Sequence, residues 1–230
     1  AKNEIETLPL ASLTKLMSAL VFLRTEPALD QSIAIAAEDF NSIADYGSDE
    51  EPIAKVNWRA GERVRLQDVL YAALIPSANN AVMTLVRATK LPMEEFVRLM
   101  NLEAWRLNLP TARFVDPTGL ERPNQASALD VAKLARYVFN QPLLEKPLGT
   151  ARYSFISLDK ITHTIETTNR LLERLPEVKA GKTGYIPEAG YNLAVKAGRD
   201  GREVIVVVLG APTLEARFKE VEKLVRWALY

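Results

Sequence analysis

The chain has 230 residues, 48% of them hydrophobic and 25% charged, which suits one large globular domain and excludes wholesale disorder. The 29 Lys and Arg balance the 29 Asp and Glu, so no global charge draws the chain to nucleic acid or an anionic membrane. With no cysteine and one histidine, His163, there is no thiol nucleophile, no disulfide and no multi-histidine metal site, and no cofactor is called for.

From Ser12, Leu13, Leu16, Met17, Leu20, Val21 and Leu23 recur at helical spacing, and Pro27 closes the segment. Ser32 to Ile35 is strand-like, and Asp45 to Pro52 is an acidic loop with no metal-ligand spacing. Helices are expected over Gln67 to Ile75, Ala78 to Ala88 and Met93 to Leu107, the last with Phe96, Val97, Leu99, Met100 and Trp105 as its apolar side. Asp116-Pro117-Thr118-Gly119 is a turn. Ser127 to Phe139 reads as a helix with Ser127 as N-cap and Asp130 at N3. Beyond Gly149 the chain turns β-rich. Residues 153–157 and 162–168 suggest a hairpin, and strands over 190–197 and 203–209 are joined by Gly198-Arg199-Asp200-Gly201. Leu214 to Leu229 is an amphipathic terminal helix.

The fold class is therefore α+β: an antiparallel sheet covered by the first and last helices, with a mostly helical insert. The chain reads as one domain over 1–230, its sheet part about 1–24 and 150–230 and its helical part about 25–149. The longest apolar run, Val204 to Leu209, is far short of the roughly 20 residues that span a bilayer. The first residues show no signal-peptide pattern, as expected of a cytoplasmic protein or of a mature or trimmed chain. His163 is expected on a strand surface, and Trp58, Trp105 and Trp227 in core or lid packing.

Three short motifs occur in order: Ser12-Leu13-Thr14-Lys15, Ser77-Ala78-Asn79 and Lys182-Thr183-Gly184. A Ser at a helix start and a Lys three residues on share a face, and the positive helix end suits an alkoxide or oxyanion. A Lys buried beside the Ser and near a second cation loses its proton more readily and can serve as base. Taken alone, the motif more often means an N-cap and a solvated Lys; Ser157-Leu158-Asp159-Lys160 also matches it and reads as a turn. Ser77 is equally an N-cap or a proton relay, with Asn79 placed to hold an amide. Lys182 to Gly184 is a polar turn before a strand. Alternatively, it is a strand edge where Gly184 admits a substrate backbone, Thr183 binds a carboxylate and Lys182 is the second cation.

Together and in this order, the motifs resemble the active-site-serine penicillin-recognising enzymes. Residues 9–17, 74–81, 114–120, 181–185 and 189–192 are similar to the serine-type D-alanyl-D-alanine carboxypeptidases, the low-molecular-mass penicillin-binding proteins. The similarity covers essentially residues 2–229 and implies a β-lactamase/transpeptidase-like fold. It implies Ser12 as the acylated nucleophile, Lys15 as its base, Ser77 as relay and Asn79 as amide holder. It implies Lys182 and Thr183 at the substrate's terminal carboxylate, with Arg217 assisting, and an oxyanion hole from the backbone N–H groups of Ser12 and Tyr185. Asn169 matches a position with a structural role.

The resemblance further implies a peptidoglycan stem peptide as substrate and β-lactams as covalent inhibitors. It implies a role in cell-wall synthesis and cell shape, and work outside the cytoplasmic membrane of a bacterium. The chain departs from the pattern at Asn80, where Asp is usual, and at Ile186, where Thr is usual. Two strands that normally precede the nucleophile are expected to be missing, since only eleven residues precede Ser12. Alternatives are a DD-endopeptidase with the same residues, a β-lactamase and a non-catalytic truncated binder. A class A β-lactamase needs a further Glu, and neither Glu121 nor Glu166 is expected to fill that place.

Overall fold

The structure, a computed structural model, describes residues 2–43 and 54–230, so the acidic loop at 45–52 lies outside the described residues. In chain order the elements are β1 (Thr7–Pro9), a 3-10 turn (Ala11–Leu13), α1 (Thr14–Arg24), β2 (Ser32–Ala34) and a second 3-10 segment (Ala37–Ile43). Then come β3 (Arg63–Arg65), α2 (Leu66–Leu74), α3 (Asn79–Ala88), α4 (Met93–Arg106), β4 (Gln125–Ser127), α5 (Ala128–Val138) and α6 (Pro142–Leu148). The β-rich end comprises β5 (Arg152–Ile156), β6 (Thr162–Glu166), a short α7 (Leu171–Arg174), β7 (Val178–Ile186), β8 (Gly190–Arg199), β9 (Arg202–Ala211) and α8 (Leu214–Leu229).

The main sheet among the described residues is antiparallel, in the order β7-β8-β9, with β7 as an edge. Its two faces follow the strand period of two. On β9, Val204, Val206 and Val208 join Leu193 and Val195 of β8 and pack against Phe218, Val221 and Val225 of α8. The alternate residues Ile205, Val207 and Leu209 face the helical core with Ala194. Burial of both faces explains the unbroken apolar run at 204–209. The covering helix on the helical side is α5, which packs on β8 and β9. The first helix, expected there, instead runs through the helical part against α2, α3, α4 and α5, and its residues Thr14 to Phe22 are all buried. A helix apolar on one side only could not sit there; α1 is apolar or small nearly all round.

Local signals account for the ends of the elements. Ser127 caps α5 by accepting from Asp130 N at 3.2 Å, and Thr213 caps α8 by accepting from Ala216 N at 3.1 Å. The Ser157-to-Lys160 copy of the first motif is a turn, with Lys160 at positive φ. Three expectations are corrected. Trp105 and Trp227 are exposed at 77% and 82%, while only Trp58 enters the core. Helical period places Trp105 one step outside the stripe formed by Phe96, Met100 and Ala104. His163 is not on a free strand surface: its side chain is mostly buried, Nε2 lies 2.6 Å from Glu62 Oε1, and its ring stacks on Phe155 at 5.1 Å. Lys182 to Gly184, read as a polar turn or a strand edge, lie within strand β7, so the turn reading falls and the strand-edge reading stands.

Candidate active site

Ser12 is half-buried in the 3-10 turn that leads into α1. The turn is held under strain, because Ala11 adopts φ 48, a left-handed conformation that costs an L-residue about 1–2 kcal/mol. Two glycines admit it. A Cβ on Gly119, at φ +85, would stand 1.9 Å from the Ala11 carbonyl oxygen, and one on Gly184 would stand 2.8 Å from the Leu10 oxygen and 3.1 Å from Ser12 N. Asn192 on β8 completes the clamp. Its Nδ2 donates to the carbonyls of Pro9 (3.0 Å) and Leu10 (3.1 Å), and its Oδ1 accepts from Gly210 N at 2.8 Å.

Lys15 lies one turn further along α1, wholly enclosed, and donates to Ser12 Oγ at 2.7 Å and to the Thr118 carbonyl at 2.6 Å. That carbonyl is fixed by Asp116. Its Oδ1 accepts from Thr118 N (2.6 Å), Thr118 Oγ1 (2.5 Å) and Gly119 N (2.9 Å); its Oδ2 accepts from Glu121 N and from Asn124 Nδ2. Burial lowers the Lys15 pKa from the ordinary lysine value to about 7, with the Asp116 charge pulling the other way. A lysine so placed exchanges its proton near neutral pH and is in contact with a hydroxyl.

Ser77 sits in the sharp turn after α2, at φ 67, with its hydroxyl accepting from Lys182 Nζ at 2.7 Å. Asn79, at the first position of α3, is buried, and its side-chain oxygen has no hydrogen-bond partner among the described residues. Such an orphaned acceptor costs stability unless something else fills the bond. Asn80 is structural: Oδ1 accepts from Val56 N at 3.1 Å and Nδ2 donates to Val56 O at 2.8 Å. A carboxylate there could not make the second bond, which gives the Asn in place of Asp a physical reason.

Lys182 reaches from the β7 edge and also donates to the Thr183 carbonyl at 3.0 Å. Burial pushes its pKa well down, and the Lys15 and Arg217 charges push it further. The charge effect between the two lysines runs from Lys15 to Lys182; Lys15 itself is lowered by burial, not by Lys182 as expected. On β7, Thr183 is buried, with Oγ1 at 2.5 Å from Thr168 Oγ1. Tyr185 stacks on its cross-strand partner Tyr191, ring centroids 4.3 Å apart. Arg217, in the first turn of α8, is buried beneath them: its guanidinium carbon is 5.4 Å from the Tyr191 ring and 4.6 Å from the Phe218 ring, and Nη1 is 3.4 Å from the Gly184 carbonyl. Ile186 turns inward onto Ala11 and Ala189.

The structure thus pairs Ser12 with Lys15 and Ser77 with Lys182 by hydrogen bonds, brings Gly184 against Ser12 N, and sets Lys15 and Arg217 close enough to Lys182 to lower its pKa. Asn169 is buried and structural, its Oδ1 accepting from Leu171 N at 3.2 Å. Glu166 is exposed on β6 and pairs with Arg152 at 3.5 Å; Glu121 is exposed and belongs to the Asp116 loop. Sequence reasoning missed the supporting roles of Asp116, Asn124, Thr168 and Asn192. The only sequence signal for them was the turn at 116–119 and the presence of Asn192 beside the third motif. Among the described residues no cluster of His, Asp or Glu could hold a metal ion, and no helix is long and apolar enough to cross a membrane.

The sequence pattern of the family described as D-alanyl-D-alanine carboxypeptidase, Peptidase S11, matches residues 1–213. The chain belongs to this family. It is 33% identical to a D-alanyl-D-alanine endopeptidase of Haemophilus influenzae, over 80% of this chain and 61% of that one. It is 32% identical to the D-alanyl-D-alanine carboxypeptidase DacF of Bacillus subtilis, over 99% of this chain and 57% of that one. The chain therefore spans about three-fifths of the length of these relatives. Its fold is that of the Streptomyces K15 DD-transpeptidase, with a TM-score of 0.89 at 24% identity, covering 100% of this chain and 91% of that one.

Proposed function

We propose that the chain is a serine D-Ala-D-Ala carboxypeptidase, acting on peptidoglycan stem peptides outside the cytoplasmic membrane and acylated by β-lactams. The observation that carries this reading is the pair of hydroxyl–lysine contacts, Ser12–Lys15 and Ser77–Lys182, each at 2.7 Å. Neutral Lys15, with its pKa near 7, takes the Ser12 proton as Oγ attacks the carbonyl carbon of the penultimate D-Ala. The backbone N–H groups of Ser12 and Tyr185 hold the oxyanion; losing one such donor typically costs about 3 kcal/mol of barrier. The tetrahedral intermediate collapses by breaking the C–N bond. Ser77, kept in contact with Lys182, relays the proton taken up by Lys15 to the departing amine of the terminal D-Ala, which leaves Lys15 neutral again. Water then hydrolyses the Ser12 ester. Asn79 gives its unpaired oxygen to a substrate N–H, while Thr183 offers a hydroxyl and Arg217 a positive charge to the terminal carboxylate, whose own charge would favour the protonated form of Lys182 beside it.

Endopeptidase action on cross-links uses the same residues and has the relative from Haemophilus influenzae in its favour. Efficient lactam hydrolysis is disfavoured at the two glutamates weighed for deacylation: Glu166 is exposed and paired with Arg152, and Glu121 is exposed in the Asp116 loop. Incubating the chain and Ser12→Ala with a fluorescent penicillin, and following intact mass, tests the reading. A long-lived one-to-one adduct absent from the variant supports it. Rapid clearance of the adduct points to a β-lactamase, and no adduct to a non-catalytic binder. Cleavage of a linear pentapeptide against a cross-linked dimer separates carboxypeptidase from endopeptidase.

A further inference from the structure

We propose that Thr168 is a positioning residue that turns the Thr183 hydroxyl proton toward the substrate's carboxylate; this rests on the functional reading above. A threonine hydroxyl has one proton to donate and two lone-pair sites. At 2.5 Å, either of the Thr168 and Thr183 hydroxyls can be the donor. If Thr183 donates to Thr168, it meets an incoming anion with lone pairs. If Thr168 donates to Thr183, the Thr183 proton is free for the anion. Thr183 is buried and Thr168 is exposed, so water can satisfy the remaining lone pairs of Thr168 in the second arrangement.

The connector that carries Thr168 is fixed on both sides. Thr167 N donates to the Ala151 carbonyl at 2.8 Å, and Thr167 Oγ1 accepts from Asn169 N at 3.1 Å. Asn169 lies against β7 so closely that a Cβ on Gly181 would stand 2.4 Å from its Nδ2. Thr168 is therefore held opposite Thr183 before any substrate arrives. The contact carries extra weight in this chain because Ile186 occupies a position where a second hydroxyl was expected and packs instead on Ala11 and Ala189.

The test compares acylation by benzylpenicillin with acylation by its methyl ester, which lacks the anion, read by intact mass on the full chain. Thr168→Val is expected to cut the rate constant ratio of acid to ester about 10-fold, and Thr168→Ser to restore it to within about 2-fold, the scale of one hydrogen bond to a charged group. A ratio unchanged in Thr168→Val, or an equal fall for acid and ester, overturns the proposal while leaving the functional reading standing. A parent chain that penicillin does not acylate at all overturns both.

Discussion

Lys182 of β7 and Ser77 of the turn before α3 stand 105 positions apart in sequence and meet at 2.7 Å, joining the sheet to the helical part at the centre of the candidate site. The contact brings a second lysine near Lys15: the Lys15 charge adds to burial in pushing the Lys182 pKa down, while the Asp116 charge pulls the Lys15 pKa up. Several measurable consequences depend on these enclosed groups.

Acylation by penicillin should rise with pH along a single ionisation with a midpoint near 7, the Lys15 value, and flatten above it. Lys15→Arg, which cannot give up its proton at these pH values, should lower the acylation rate by at least about 10³-fold across the range. A flat profile in the parent would remove Lys15 from the base role.

Lys15 also sets a slope in stability. An unfolded lysine titrates at about 10.4, and folded Lys15 titrates at about 7. Between those pH values the unfolded chain holds a proton that the folded chain lacks, so stability rises with pH. The penalty for enclosing the charge is complete below pH 7 and on the order of a few kcal/mol. Lys15→Met lacks this slope. Its Tm relative to the parent should be highest at pH 6–7 and should fall steadily toward pH 10; a difference that grows with pH contradicts the assignment.

Gly119→Ala should be severe, because the new Cβ would meet the Ala11 carbonyl at 1.9 Å. We expect a loss of about 3–5 kcal/mol in unfolding free energy, accompanied by loss of acylation. Gly201→Ala is the control: it has φ +79 and nothing within 4 Å, so only the conformational cost of about 1–2 kcal/mol applies. Equal Tm values for the two variants would refute the close approach.

Asn192→Asp keeps the shape of the side chain and removes the donor to Pro9 and Leu10. Placing a buried carboxylate against two carbonyls should cost about 2–4 kcal/mol and slow acylation more than it lowers affinity for a non-covalent ligand. Stopped-flow acylation with denaturant unfolding checks both effects.

Trp105→Gln should change stability by less than about 0.5 kcal/mol, as expected at an exposed site, whereas Trp58→Ala should cost about 3–5 kcal/mol. Urea unfolding of the two variants checks both values.

Much of the site was legible because its residues come in short, ordered motifs, and much of the helical part because Leu16, Leu20 and their neighbours repeat at helical spacing. Both ends of α8 and the cap at Ser127 followed from local chemistry alone. β7 was not legible. Gly181, Lys182 and Gly184 have poor strand propensity, and the close approach of neighbouring atoms explains the two glycines. Thr168 and Asn192 act through partners distant in sequence, and a single sequence carries no sign of such pairing; Asp116 works within its own turn, where the signal gave the turn but not the carbonyl it fixes. His163 was misplaced for the same reason: its partner Glu62 lies 101 residues away. The path of α1 was hidden because an all-round apolar helix does not announce which neighbours will enclose it.

The grip of Asn192 on Pro9 and Leu10 spans 182–183 positions, so the serine's setting is decided by a strand made long after it. As the chain leaves the ribosome, the first two motifs emerge long before the strand that fixes the first of them. A nascent fragment ending before β8 would already carry Ser12, Lys15, Ser77 and Asn79, yet would lack the hold of Asn192 on Pro9 and Leu10 that completes the clamp on the turn at Ala11. Reactivity is thereby postponed until the sheet closes. Such long-range closure also makes the assembly of the site a slow, late event compared with the formation of its helices.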